Sequence, residues 1–114
     1  MAARGDVLAL RRAIGFLPGE RIDRFAVLQS DRLAGVLDTV VVIPLDDRRP
    51  EYSTLPGVVP VTGAEAGTER EQAALVTQLT NLGLDRFEAS PVGRLRPATL
   101  RRIGQVLKLV LELS

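Results

Sequence analysis

The sequence predicts an α+β chain that is mainly β: a body of short antiparallel strands closed by one amphipathic helix. Three observations predict this. Five β-branched residues follow one another from Thr39 to Ile43, and shorter apolar runs bounded by Gly, Pro and Asp recur on either side. From Leu100 onward the apolar residues change to three- and four-residue spacing.

Asp6–Leu10 reads as the first strand, set between Gly5 and the Arg11-Arg12 pair. Gly15-Phe16-Leu17-Pro18-Gly19 reads as a loop. Phe25–Leu28 fits a buried second strand closed by Gln29-Ser30-Asp31, with Asp31 placed to cap a helical turn through Arg32–Val36. Thr39–Ile43 is apolar on both faces and is expected to be the central strand, stopped by Pro44. Asp46 to Thr54 is a polar loop, and Gly57–Val61 a strand whose Pro60 points to an edge or a bulge. Thr62 to Glu71, rich in Gly and Glu, is expected to be exposed. Ala73–Leu79 reads as a further strand, although its composition also permits a helix, and Phe87 to Gly93 reads as irregular. The last helix runs from about Arg96 to Leu113, with Pro97 in its first turn. Leu100, Ile103, Leu107 and Val110 form one apolar stripe, widened by Val106 and Leu111, opposite Arg101, Arg102, Gln105 and Lys108. With no repeat and no linker, residues 1–114 are expected to form a single domain.

Composition narrows the chemistry. Hydrophobic residues make up 46% and charged residues 25%, a globular balance rather than a disordered one. The absence of cysteine removes disulfides, thiolate metal sites and a thiol nucleophile, and the absence of histidine removes the commonest general base and zinc ligand. Acid–base work must fall to carboxylates, arginines, hydroxyls, Lys108 or Tyr52. The net charge of +1 conceals a gradient: residues 25–90 carry five arginines against ten acids, whereas both ends are basic. Basic ends brought together can meet phosphates; scattered on a solvated surface they do nothing of the kind. The start lacks the apolar stretch of a signal peptide, and the longest apolar run is far too short to span a bilayer, so a cytoplasmic location without membrane contact is expected.

Strand order alone names no function, but particular segments say more. Arg24 to Asp31, followed by Thr39-Val40-Val41-Val42-Ile43-Pro44-Leu45, resembles the CcdB/MazF superfamily of bacterial toxins, in which an arginine opens strand two, Gln-Ser-Asp or Gln-Asn-Asp follows it, and an apolar strand ends in Pro-Leu. Arg4-Gly5-Asp6-Val7 is similar to a MazF start, Ala74–Leu79 to its later strand containing a glutamine, and Leu95–Leu100 with Val106–Leu111 to its terminal helix. The matches follow one another in order along nearly the whole chain.

The resemblance, to the MazF/PemK-like toxins in particular, implies a small SH3-like antiparallel barrel that forms a homodimer and is held inactive by a cognate antitoxin. It also implies a ribonuclease that needs no metal or other cofactor and cuts single-stranded RNA. There the RNA 2′-hydroxyl attacks its own phosphate and leaves a 2′,3′-cyclic phosphate, so the protein must position the chain, move protons and stabilise negative charge. By the resemblance Arg24 is the phosphate-stabilising catalytic residue, with Arg21 the alternative because strand two is one residue shorter than in MazF. Family members usually carry threonine after Pro-Leu; this chain has Asp46 and then Asp47. Asp46 can serve as a general base if Arg24, Arg48 or Arg49 lies near, or it can simply cap a turn. Asp47, Arg48, Arg49 and Gln78 are the accompanying RNA-binding candidates, Gln78 being retained where Thr77 stands in place of a family acid. Gln29, Ser30 and Asp31 are expected to end a strand and cap a turn. Asp46 and Asp47 lack a third acid at metal-binding spacing, so no metal site is expected. Two alternatives stay open: a CcdB-like inhibitor of DNA gyrase, although the Trp-Gly-Ile tail of CcdB is absent, and a catalytically silent relative that only binds an antitoxin.

Overall fold

The computed structural model describes residues 2–14, 22–33 and 35–112. The predicted loop around Gly15–Gly19 and the candidate Arg21 lie outside the described residues. Among the described residues there are seven strands: β1 (Asp6–Ile14), β2 (Ile22–Val27), β3 (Thr39–Asp47), β4 (Val58–Val61), β5 (Gln72–Leu75), β6 (Thr80–Gly83) and β7 (Gly93–Arg94). A one-turn helix, α1 (Gly63–Ala66), and the terminal helix α2 (Pro97–Leu111) complete the fold. The strands form one curled antiparallel sheet of half-barrel shape in the order β4-β5-β3-β2-β1-β7, with β6 also pairing with β3. The expected mainly β body with a C-terminal helix is therefore present, and the run of β-branched residues is its central strand.

Alternation of side chains along β2 and β3 gives the sheet two apolar faces. Val7, Ala26, Ile43, Leu45, Val59, Val61 and Ala74 pack on the first face beneath Leu95 and Ile103. Leu8, Leu10, Phe25, Val27, Val40, Val42 and Phe87 pack on the second, where the rings of Phe25 and Phe87 meet edge-on with centroids 5.9 Å apart. Helix α2 follows its predicted stripe at Ile103, which is buried, and at Leu100, Val106 and Leu107, which are half-buried; Thr99, outside that stripe, is buried too, whereas the stripe's last members Val110 and Leu111 project with Leu109 and are exposed.

Several expectations are corrected. Pro44 does not stop β3, which continues to Asp47. The Leu28 N–H donates to the Val41 carbonyl at 3.0 Å, so bonded pairs alternate along the β2–β3 ladder and the Phe25–Pro44 pair falls between them. The nitrogen of Pro44 therefore faces away from β2, where the ladder passes from β6 (through Val42) to β5 (from Leu45) and needs no donor. The segment opposite that gap breaks for the same reason: Ala73–Leu79 is not one strand but the end of β5, a 3-10 turn at Val76–Gln78 and the approach to β6. Pro60 sits on the edge strand β4, as expected. The helical turn after β2 is shorter than expected, a 3-10 turn at Asp31–Leu33, with the Asp31 carboxylate accepting from the Arg4 N–H at 2.7 Å rather than closing a longer helix.

Thr62 to Glu71 is exposed only in part: Glu69, Arg70 and Glu71 are exposed as expected, but Gly63, Glu65 and Ala66 are buried in a turn of helix. Thr62-Gly63-Ala64-Glu65 is a reciprocal capping box: the Thr62 hydroxyl accepts from the Glu65 N–H, and Glu65 accepts from the Thr62 N–H at 3.1 Å. The Glu65 carboxylate is buried and also accepts from the Arg96 N–H at 2.8 Å, so it ties α1 to the cap of α2. Burial alone raises the Glu65 pKa, but the hydrogen bonds from Arg96, Thr99 and Thr62 outweigh it and hold the carboxyl below its ordinary value. Gly67 ends α1 at φ +71°, and a Cβ there would meet the Val92 carbonyl oxygen at 2.1 Å.

Candidate functional site

The end of β3 carries a buried carboxylate. Asp46 pairs with Ala73 of β5, which pairs with Pro60 of β4, so one row of small side chains crosses three strands on the second face. The segment after β3 folds over this row as a 3-10 turn at Pro50–Thr54. Proline at its first position sets the backbone. The turn is tied by the Tyr52 N–H donating to the Arg49 carbonyl at 3.0 Å and the Ser53 hydroxyl donating to the Pro50 carbonyl at 2.7 Å. Between turn and strands lies a groove of about 590 Å³, whose lining includes Arg48, Arg49, Tyr52 and Ser53 beside the apolar Leu55, Val58, Pro60 and Ala73.

Asp46 lies beneath the groove wall with its side chain only 6% exposed. One of its oxygens accepts from the Tyr52 hydroxyl at 2.6 Å and lies 3.5 Å from an Arg49 guanidinium nitrogen. The other accepts from the Asp47 N–H at 2.9 Å. Arg49 itself is half-exposed. Arg48 is exposed, and its backbone is fixed by donation to the Glu71 carbonyl at 3.0 Å. The arrangement offers two guanidinium groups and a phenol ring to an open groove above one buried negative charge. Guanidinium forks hold phosphate oxygens and an aromatic ring takes a nucleobase, so a single-stranded nucleic acid matches the groove chemically.

A sequence model of the PemK-like, MazF-like toxins of type II toxin–antitoxin systems matches residues 5–111. The chain belongs to this family. A search of curated proteins finds no significant match. Among solved structures, the chain is similar to a mycobacterial endoribonuclease in complex with its cognate antitoxin, at 19% identity and TM-score 0.76, covering 100% of this chain and 98% of that one. It is similar to MazF from the MazE–MazF complex of Deinococcus radiodurans at 18% identity and TM-score 0.75, covering 99% and 98% of the two chains. It is also similar to the Mycobacterium tuberculosis toxin MazF-mt6 at 12% identity and TM-score 0.73, covering 94% and 97%. These likenesses establish the fold.

Within this MazF-like framework the candidate residues divide between the two faces of the sheet. Arg24 pairs with Leu45 across the β2–β3 ladder and so shares the first face, while Asp46, one residue on, turns to the second. The Arg24 guanidinium donates to the carbonyls of Ala66 at 3.0 Å and Gly67 at 3.3 Å, and lies 3.4 Å from Asp23. It clasps the end of α1 and does not meet Asp46. Asp47 also faces away from Asp46, accepting from the Gln72 amide at 2.8 Å and Arg70 at 3.2 Å. Gln78 is exposed on the 3-10 turn that packs against α2, on the side of the sheet opposite Asp46. Of the candidates, Asp46, Arg48 and Arg49 come together. Ser53 joins them unannounced, and so does Tyr52, which composition had marked only as one of the few possible acid–base groups: the spacing from Asp46 to Tyr52 carries no motif, and the turn at Pro50–Thr54 is what brings the phenol back onto the strand. Among the described residues, no group of three or more His, Cys, Asp or Glu side chains is placed to hold a metal ion, and no helix is long and apolar enough to cross a membrane.

Proposed function

We propose that this chain is the toxin of a type II toxin–antitoxin pair and acts as an endoribonuclease on single-stranded RNA in the cytoplasm, without a metal. The observation that carries the reading is the arginine-lined groove above Asp46 in a MazF-family sheet. The nucleophile comes with the substrate, as the 2′-hydroxyl beside the scissile phosphate. The protein's share is to hold that phosphate in line and to stabilise the charge that builds on its oxygens. Arg49 and Arg48 supply that charge from the groove, and a guanidinium is suited to it because it remains protonated and presents parallel N–H donors. Attack forms the O2′–P bond, breaks the P–O5′ bond, and leaves a 2′,3′-cyclic phosphate and a 5′-hydroxyl.

Arg24, bound to the end of α1, supports the shape of the first face in this reading; Asp47 and Gln78 lie away from the groove and are given no part in holding the RNA there. A homodimer and inhibition by a cognate antitoxin complete the proposal, supported by the family and by similar proteins solved with their antitoxins. The MazF-type family match favours ribonuclease over the gyrase-directed alternative. The test is incubation of the purified, antitoxin-free protein with an RNA pool of varied sequence in EDTA, with the new ends mapped. Site-specific cuts are expected. An intact pool contradicts the proposal.

A further inference from the structure

From the burial of Asp46 we infer that it is a positioning residue rather than a general base, and that Tyr52, which it holds, is the platform for one unpaired nucleobase next to the phosphate bound by Arg49. The inference rests on the ribonuclease reading of the groove and specifies how that groove recognises RNA.

A general base must come within hydrogen-bond reach of the 2′-hydroxyl. Asp46 is poorly placed for this. Its side chain is 6% exposed and both oxygens are engaged, one by the Tyr52 hydroxyl at 2.6 Å with Arg49 at 3.5 Å, the other by the Asp47 N–H at 2.9 Å. What the carboxylate does is fix two groups that border the groove. It anchors the far end of the Tyr52 phenol, which limits rotation of the side chain and holds the ring at the groove wall. It also draws one nitrogen of Arg49 toward the strand while the half-exposed guanidinium keeps further donors for a phosphate. The floor opposite is made of Ala73 and Pro60, small and flat side chains that leave width for a planar base. Phe25 and Phe87 are buried in the second-face core, and Tyr52 is the aromatic side chain among the described residues that lines the groove of Arg48 and Arg49. Pre-fixing ring and guanidinium together reduces the ordering that binding would otherwise require.

The experiment uses the full-length protein, an RNA it cleaves, and a fluorescein-labelled 2′-O-methyl oligonucleotide of the same sequence that cannot be cut. Tyr52→Leu keeps apolar bulk but removes the ring, whereas Tyr52→Phe keeps the ring and loses only the hydroxyl; thermal melts establish that both are folded. Tyr52→Leu is expected to weaken oligonucleotide binding by about 5- to 150-fold, and Tyr52→Phe by no more than about 3-fold. Equal affinities for the two variants would overturn the role of Tyr52. Asp46→Asn is expected to lower kcat by up to about 100-fold through misplaced groups while leaving the shape of the pH–rate profile unchanged. An unchanged kcat, or loss of the acidic limb of the profile, would overturn the positioning role. Failure of the wild-type protein both to cut and to bind would instead refute the ribonuclease reading, so the two failures are distinguishable.

Discussion

Glu65→Gln is expected to destabilise the protein by about 2–3 kcal/mol at neutral pH, and by far less in acid. The two carboxylate oxygens serve different donors: one accepts from the Arg96 N–H at 2.8 Å, the other from the Thr62 N–H and hydroxyl, each at 3.1 Å. Glutamine has the same size but only one carbonyl oxygen, so one set of donors must face an NH₂ group in a site where the native side chain is only 4% exposed. A lost hydrogen bond to a charged group is worth roughly 1.5–3 kcal/mol, and a stranded donor adds its desolvation cost. The Arg96 guanidinium, 3.4 Å from the carboxylate, is 65% exposed and is given no weight of its own in that sum. The folded carboxyl has a lowered pKa, so its stabilisation is fully present above the unfolded-state value of about 4.3 and fades as pH falls through the lower folded value. Urea titrations of both proteins at pH 7 and at a series of acidic pH values measure this directly. A large gap in midpoint at pH 7, with similar slopes, should close in acid. Equal stability at pH 7, or a gap independent of pH, would refute the reasoning.

Other substitutions probe the frame around the site. Arg24→Ala should cost about 1–2 kcal/mol in urea denaturation, because the Ala66 and Gly67 carbonyls lose their donor, while RNA cleavage by the folded fraction is retained. Gly67→Ala should cost about 3 kcal/mol or more, or abolish soluble expression, since it adds backbone strain at φ +71° to a clash with the Val92 carbonyl. Ile103→Ala, at the buried centre of the α2 stripe, should cost about 2–5 kcal/mol and lower the melting temperature accordingly.

Much of the fold was legible because local chemistry and tertiary structure agree. The run from Thr39 to Ile43 has a strong strand preference and becomes the central strand, and the Leu100–Ile103–Leu107 spacing becomes the face of α2 that covers the sheet. Local signals misled where a neighbour decided the outcome. Pro44 reads as a stop, yet its missing donor falls in the gap where the ladder passes from β6 to β5. The Thr62–Glu65 capping box was present in the sequence but was obscured by the glycines and glutamates around it. The site was harder to read for a geometric reason: whether Arg24 and Asp46 meet depends on the β2–β3 register, and a one-residue difference sends them to opposite faces. Register is set by contacts across the sheet, which no single segment encodes. Asp46, Arg48 and Arg49 are adjacent in sequence and needed no register to be found together; Tyr52 needed the turn at Pro50–Thr54.

The most direct test of the central claim is cleavage of a synthetic RNA containing one susceptible site, in EDTA, beside the same RNA carrying a single 2′-deoxy nucleotide immediately 5′ of the scissile phosphate. The account predicts that the all-ribose strand is cut, with a 2′,3′-cyclic phosphate identified by mass, and that the 2′-deoxy strand resists. Cleavage of the 2′-deoxy strand, or a product ending in a 3′-hydroxyl, would contradict it.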